Sequence, residues 1–242
     1  MCRRHRMLAT VASRNLTKNS PRNSGLFHWE NDGEAGVLSR LSSWLIRKGA
    51  KMHPVCWIDT ETTGLDAKRH GIVQIAGIIE SYGAENISFN YMVQPFPEDE
   101  VEDKALEVSR ITRDRLQTFA SPRDVHADLI KIFSGVVDRF DKHSKMLFAG
   151  YNAGFDMDFM RAFFTKSGDK FFGSWFWWPP IDVAILAGDA LRDERHKIPN
   201  FKLGTVAEYL GILPKGDLHD AYTDIFLTRD VYMTLVNGGR NE

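Results

Sequence analysis

Two short apolar runs in this chain constrain its fold most strongly. Residues 55–58 and 72–79 are each followed by polar or turn-forming residues, and the second run is rich in β-branched side chains. Runs of this length and composition are typical of buried β-strands. Residues 87–93 alternate apolar and polar side chains and end before Pro95 and Pro97, which predicts a third strand. The sequence therefore predicts a meander of three strands.

Helical signals follow the meander. Ser121 and Pro122 open a segment whose apolar residues recur at helical spacing, and residues 146–149 are predicted as a further strand. Three more helices are predicted, at residues 155–164, 203–210 and 221–235. Strands first, with strands and helices alternating later, are typical of an α/β domain.

The composition is that of one folded domain. The chain has 242 residues, of which 43% are hydrophobic, and this is enough for one substantial core. It has no apolar run near the roughly 20 residues that cross a membrane, so we expect no membrane contact. Its two cysteines, Cys2 and Cys56, favour a reducing, cytoplasmic compartment over a disulfide framework.

Residues 1–52 differ from the rest in charge. They carry 10 Lys or Arg against 3 Asp or Glu, whereas residues 53–242 carry 21 against 29. We interpret residues 1–52 as a poorly structured or partly helical extension, or as sequence upstream of a start at Met52, in preference to an organelle-targeting segment. The net charge of −8 on residues 53–242 argues against broad coating of nucleic acid, which uses an extended basic surface.

Asp59 and Glu61 form the most informative polar pair. They follow the first apolar run and, being two residues apart in an extended chain, point to the same side. Such carboxylates can share a Mg²⁺ or Mn²⁺ ion, whose preferred ligands are carboxylate oxygens and water. Taken alone, the pair is better explained as an acidic turn at a strand end.

Two further acidic segments lie at the starts of predicted helices. Asp156 follows a predicted strand, and its carboxylate could simply complement the helix dipole. His219 precedes the last helix, Asp224 is expected on the second turn of that helix, and Asp220 is a candidate cap. Because histidine side chains ordinarily titrate near neutral pH, His219 has the chemistry to remove a proton from water.

Together the three segments resemble the DEDDh branch of the ribonuclease-H-like 3′→5′ exonucleases, which includes the epsilon proofreading subunit of bacterial replicative polymerase, ribonuclease T and oligoribonuclease. The matching motifs are residues 58–65, 152–156 and 219–224, and the similarity spans about residues 55–235. The resemblance implies an α/β fold with a mixed sheet of about five strands flanked by helices. It also implies that residues 53–242 are a 3′→5′ exonuclease domain.

The resemblance assigns roles to five residues. Four carboxylates correspond to the family's ligands of two Mg²⁺ or Mn²⁺ ions: Asp59, Glu61, Asp156 and Asp224. Asp59 is the expected bridging ligand, and His219 is the expected general base that activates water. The implied reaction releases a nucleoside 5′-monophosphate from a 3′ end. Contacts to the terminal nucleotide are expected from six residues: Thr62, Thr63, Gly64, Leu65, Asn152 and Phe155.

Two sets of apolar residues have alternative roles. By the resemblance, Leu65 and Phe155 pack on bases, an interaction that tolerates any base sequence, and ordinary core burial is the alternative for both. Residues 171–180 are unusually aromatic. A loop packed onto the sheet is preferred for this segment over a stacking platform for single strands or a partner contact.

Three functions are compatible with the motifs. The first is a DNA exonuclease that acts on single-stranded or frayed 3′ ends in proofreading or repair, with a polymerase as a partner, and the form of the second motif favours it. The second is trimming of RNA 3′ ends, because ribonucleases of the branch share the five residues. The third is a non-catalytic binding module, which retention of all five residues disfavours. The short segment after the last predicted helix argues against a long polymerase-binding tail.

Overall fold

A computed structural model describes residues 53–236 of the chain. The expectations for residues 1–52 lie outside this range, as does the end of the predicted 53–242 domain. The described residues form a five-stranded sheet in the order β3-β2-β1-β4-β5. Its strands are β1 (Val55–Thr62), β2 (Ile72–Glu80), β3 (Ile87–Met92), β4 (Met146–Gly150) and β5 (Phe176–Asp182).

The sheet is mixed, with β1 at its centre. β1 pairs antiparallel with β2 and parallel with β4, while β3 and β5 form the edges. The predicted meander of β1, β2 and β3 and the predicted mixed α/β sheet of about five strands are confirmed. Every residue of β2 except Glu80 is buried, as expected for a strand covered on both faces, and this explains its apolar run, which only Gln74 interrupts before Glu80.

Two strand predictions need correction. β1 does not end at Ile58 but continues through Thr62, so the acidic pair lies within the strand. β5 occupies part of the aromatic segment that was expected to be a loop. Pro179 and Pro180 obscure this strand in the sequence, because proline cannot donate to a β-ladder and is tolerated only at an edge.

The described residues contain seven α-helices. They are α1 (Asp103–Val108), α2 (Arg113–Leu116), α3 (Pro122–Ser134), α4 (Ala153–Lys166), α5 (Val183–Ala190), α6 (Leu203–Tyr209) and α7 (Ala221–Val236). The predicted start of α3 is confirmed, since Ser121 Oγ accepts a hydrogen bond from Asp124 N at 3.2 Å. The sequence pattern does not predict α1, α2 or α5. The first two are too short for a periodic stripe, and α5 begins with an unbroken apolar run.

Helices cover both faces of the sheet. α3 and α4 pack on the face that carries Ile58, whereas α5, α6 and α7 pack on the face that carries Trp57. Because successive residues of a strand point to opposite faces, Asp59 and Glu61 are directed toward α7, as Trp57 is. Thr60 is directed toward α4. Residues from both helical layers can therefore meet at the end of β1. Among the described residues, no helix is both long and apolar enough to span a bilayer.

Candidate active site

Three carboxylates converge where β1 ends and α7 begins. One oxygen from each of Asp59, Glu61 and Asp224 lies within 4.8 Å of the other two. Asp59 and Glu61 share a face of β1 because they are two residues apart. Asp224 lies in the first turn of α7, rather than in the second turn as expected from the sequence. The two-residue period of β1 and the position of Asp224 in the first turn of α7 together bring the three carboxylates into one cluster.

Asp156 reaches the same region from the opposite helical layer. It lies in the first turn of α4 and is buried. Its Oδ1 accepts hydrogen bonds from the backbone N–H of Thr60 at 2.9 Å and from the Thr60 hydroxyl at 2.8 Å. Thr60 lies between Asp59 and Glu61 and points to the α4 side, so these bonds attach the fourth carboxylate to the acidic strand.

His219 is held at the start of α7 through its backbone. It has a left-handed conformation with φ 67°, and its N–H donates to Asp224 Oδ2 at 3.2 Å. Its side chain is exposed. The adjacent Asp220 caps the helix as expected, because its Oδ1 accepts from Thr223 N at 3.1 Å. The backbone bond ties the position of His219 to one of the clustered carboxylates.

Burial and mutual repulsion make the charged cluster unfavourable by itself. Burial raises the pKa of Glu61 to about 8, and the charges of Asp224 and Asp156 act in the same direction. The pKa of Asp59 is raised well above its ordinary value by burial, and then by the neighbouring carboxylates. Burial also raises the pKa of Asp224, although its bond from His219 N opposes the shift. A bound cation would offset all three effects.

The donor set fits a divalent cation. The clustered ligands are carboxylate oxygens, which suit Mg²⁺ and Mn²⁺. Asp224 Oδ1 is buried and has no hydrogen-bond partner in the described part of the chain. A buried oxygen of this kind ordinarily requires a partner. Asp59, Glu61 and Asp224 are therefore the residues that could hold a metal, with Asp156 beside them.

The loop after β1 is fixed from within. The Thr62 hydroxyl donates to Gly64 O at 2.7 Å. Thr63 is fully buried, and its hydroxyl donates to Glu100 O at 2.5 Å and accepts from Gly71 N at 2.9 Å. The side chain of Thr63 therefore supports the loop from within. A contact of Thr62 or Thr63 with substrate stays a prediction.

Gly64 lies directly against the buried side chain of His70. A Cβ at position 64 would come within 2.4 Å of His70 Cδ2, so only glycine fits without displacement. His70 Nδ1 accepts from Asp66 N at 3.0 Å, and its Nε2 is 3.1 Å from Glu102 Oε1. The histidine thus forms the floor of the loop that carries Leu65.

Leu65 and Phe155 line an open groove that none of the four candidate ligand carboxylates lines, although Phe155 directly precedes Asp156 in α4. Leu65 is 83% exposed, so core burial does not account for it, whereas Phe155 is half-buried and packs on Phe159 with ring centroids 4.7 Å apart. The groove has a volume of about 650 Å³ and continues along α4 to Arg161. The base contacts predicted for these two residues stay a prediction.

Asn152 stands at the start of α4 with an exposed side chain. Its backbone is left-handed, with φ 61°, and its N–H donates to Asp182 Oδ1 at 3.2 Å. The same Asp182 oxygen accepts from Ala184 N at 3.0 Å at the start of α5. The side chain of Asn152 makes no cap bond and is therefore free to contact a ligand.

Sequence reasoning missed two residues that organise the site. Thr60 binds Asp156, as described above. Gln74 is buried in β2, and its Nε2 donates to Asp220 Oδ2 at 3.2 Å, while Ala221 N donates to its Oε1 at 3.4 Å. A glutamine within an otherwise apolar strand is a signal in the sequence, because a buried amide needs partners.

The aromatic segment divides into buried and exposed residues. Phe172, Trp175 and Phe176 are at most 5% exposed, which agrees with the preferred interpretation that the segment packs on the sheet. Phe171 and Trp178 are 65% and 76% exposed. Core packing therefore does not explain this second group.

A family model described as Exonuclease matches residues 56–232 of the chain. Among curated proteins, the DNA polymerase III PolC-type of Thermotoga maritima is 28% identical over 179 residues, covering 74% of this chain and 12% of that protein. The protein of the same name in Thermotoga petrophila is 26% identical over the same length, with the same coverage. This chain therefore spans about an eighth of the length of these relatives.

Solved structures share the fold. Exonuclease I of E. coli in complex with a dT13 oligonucleotide is 20% identical, with a TM-score of 0.60 over 76% of this chain and 41% of that chain. A second solved structure of exonuclease I gives a TM-score of 0.61 at 20% identity. The match covers 78% of this chain and 42% of that chain.

Proposed function

The chain belongs to the exonuclease family, and we propose that it removes nucleotides one at a time from the 3′ end of single-stranded or frayed DNA. The products are nucleoside 5′-monophosphates. The observation that carries this proposal is the convergence of Asp59, Glu61 and Asp224 within 4.8 Å. Phosphodiester hydrolysis needs positive charge at the phosphate, and a carboxylate cluster of this kind concentrates divalent cations.

The carboxylates are proposed to hold two ions, Mg²⁺ or Mn²⁺. The charges of Asp156, Asp224 and Glu61 all act on the carboxyl of Asp59, so Asp59 would be the ligand able to serve both ions. When bound, the ions supply Lewis acidity toward the scissile phosphate and offset the repulsion among the carboxylates. Thr60 orients Asp156 through two hydrogen bonds to one oxygen, and the second oxygen of Asp156 remains available.

His219 is proposed to take the proton from the attacking water. Its side chain is exposed beside the cluster, and its backbone N–H is bonded to Asp224 Oδ2. An exposed imidazole can accept a proton from water and release it to solvent between turnovers. Because the bond fixes the backbone and not the ring, the ring is free to turn toward a bound substrate.

The terminal nucleotide is proposed to lie in the groove lined by Leu65 and Phe155. Leu65 and Phe155 offer apolar faces for its base, and Asn152 offers an exposed amide. Such contacts read no base sequence. DNA is preferred over RNA because the curated relatives are named DNA polymerases, and a polymerase is the partner that this kinship suggests.

The substrate is tested with DNA and RNA oligomers of equal sequence, each labelled at its 5′ end and incubated with Mg²⁺. The proposal predicts that the DNA shortens stepwise from its 3′ end and that the RNA shortens more slowly. Cleavage of RNA alone would replace the proposal with trimming of RNA ends. Binding of both oligomers without cleavage of either would instead indicate a non-catalytic module.

A further inference from the structure

A second groove lies next to the first, on the aromatic segment. It has a volume of about 290 Å³ and lies between α4 and the start of β5. Aromatic side chains make up half of its lining, and the lining residues include the cations Lys145 and Arg161. No carboxylate lines it among the described residues. The groove therefore combines aromatic surface with positive charge on a domain whose sequence is acidic overall.

Arg161 joins the two grooves. It lines both of them, with its guanidinium carbon 5.2 Å from the ring centroid of Phe172. Arg161 follows Phe155 by six residues in α4, which places it about 9 Å farther along the helix axis. A chain that leaves the proposed nucleotide site along α4 therefore meets an exposed guanidinium and then the second groove.

Trp178 is the exposed element of the second groove. Its side chain is 76% exposed, although tryptophan is usually well buried. Beside it, Lys145 Nζ lies 5.5 Å from the ring centroid of Trp177 and donates to Gly173 O at 2.7 Å. This hydrogen bond holds Lys145 at the groove. Because the acceptor is a neutral carbonyl, the positive charge of the lysine is left available to an anion. A free aromatic face next to fixed cations is the chemistry by which proteins hold single strands.

We propose that the second groove binds the single strand upstream of its 3′-terminal nucleotides, with a base stacked on Trp178 and phosphates paired with Arg161 and Lys145. This inference rests on the proposed function and extends it, because it makes the enzyme prefer long single strands over very short ones. Charge complementarity and the shared Arg161 select a nucleic-acid strand as the occupant. An apolar protein segment would leave both cations unpaired.

The first test is binding of fluorescein-labelled dodecathymidylate by anisotropy, with EDTA present to prevent cleavage. Trp178→Ala is expected to weaken binding about tenfold, the loss typical of one stacked base, and Trp178→Phe should recover most of it. Tyr82→Ala is the matched control. Tyr82 is 73% exposed and lies between β2 and β3, at the other side of the sheet, so its loss should leave binding at the level of the parent.

The second test compares kcat/KM for the dodecamer and for a dinucleotide in Mg²⁺. Trp178→Ala should lower the value for the dodecamer about tenfold more than the value for the dinucleotide, which is too short to reach the second groove. Lys145→Gln should reduce the slope of log affinity against log salt by about 0.7, the contribution of one phosphate contact to a single strand.

The outcomes separate this inference from the proposed function. Equal losses on both substrates, or parental binding by Trp178→Ala, would overturn the inference and leave the exonuclease proposal standing. If the parent hydrolyses neither substrate, the proposed function fails, and the anisotropy comparison still decides whether the groove holds a strand.

Discussion

At the scale of single residues, the negative charges of Asp59, Glu61 and Asp224 repel one another. One oxygen of each lies within 4.8 Å of the other two, and the pKa of each carboxyl is raised, chiefly by burial. Such a cluster destabilises the folded protein at neutral pH unless a cation shares it. Conversely, removing one charge should harm catalysis without harming the fold.

Asp224→Asn tests that separation. Its side-chain oxygen can still accept the bond from His219 N, so the substitution removes charge and little else. We expect a fall in kcat on the order of 10²- to 10³-fold, with metal-free stability equal to that of the parent or higher. The control is Asp230→Asn on the same helix, where the carboxylate faces Lys215 at 3.9 Å, and it should retain parental kcat. Loss of folding in Asp224→Asn would contradict the claim that repulsion among these carboxylates destabilises the folded protein.

Thr60 gives a second prediction at this scale. Its hydroxyl bond to Asp156 Oδ1 lowers the pKa of that carboxyl, in opposition to the larger effect of burial. In Thr60→Val the pKa of Asp156 should rise further, so a protonated carboxyl competes with metal up to higher pH. We expect half-maximal activation to need about tenfold more Mg²⁺. The acid limb of the pH–rate profile should shift to higher pH. Thr60→Ser should restore both, and parental Mg²⁺ dependence in Thr60→Val would count against the positioning role.

At the scale of elements, β1 and the loop after it bring the site together. The strand alternation sends Asp59 toward α7 and Thr60 toward α4, so one strand engages both helical layers. The loop then turns tightly over His70, against which Gly64 is packed. The position of Leu65 at the groove therefore depends on a contact that lies on the buried side of the loop.

Gly64→Ala should displace this loop. Its new Cβ would lie 2.4 Å from the His70 ring, and overpacking of this kind lowers the free energy of unfolding by about 1–3 kcal/mol. We also expect a higher KM for the oligonucleotide. The matched control is Gly154→Ala in α4, where no heavy atom lies within 4 Å of an added Cβ. That substitution should raise stability by up to about 1 kcal/mol, as urea unfolding of both variants would show.

The elements also show where sequence reasoning succeeds and fails. β2 is predictable because burial of both faces leaves an apolar run that only Gln74 interrupts before Glu80. β5 is not, since Pro179 and Pro180 mark a breaker unless the strand is known to lie at an edge. The acidic site is a third case. Local pattern places Asp59 and Asp224 at element ends, but the pattern does not state that residues so far apart in sequence meet. That expectation came from the resemblance, and the sheet order supplies its physical basis.

At the scale of the whole molecule, stability should be linked to both pH and metal. In the metal-free protein the pKa of Glu61 is raised to about 8, whereas an unfolded glutamate titrates near 4.3. Between these values the folded protein keeps a proton that the unfolded chain has released. The free energy of unfolding of the metal-free protein should therefore fall as pH rises through this window.

Mg²⁺ should reverse that trend, because it binds the deprotonated carboxylates. Thermal unfolding with and without Mg²⁺ should show a stabilisation that grows from about pH 5.5 to about pH 8. At a metal concentration one hundred times Kd it should reach about 2.7 kcal/mol. In Asp224→Asn the stabilisation by Mg²⁺ should change less with pH than it does in the parent. An equal shift in Tm at both pH values would show that metal binds elsewhere.

The most direct test of the whole account follows the shortening of a single-stranded DNA oligomer labelled at its 5′ end. In Mg²⁺ the parent should give a ladder that retracts from the 3′ end and should release nucleoside 5′-monophosphates, and EDTA should stop it. Asp59→Asn should leave the oligomer intact while it folds like the parent. A ladder of the same rate from Asp59→Asn, or retraction by the parent in EDTA, would contradict the claim that these clustered carboxylates carry the reaction.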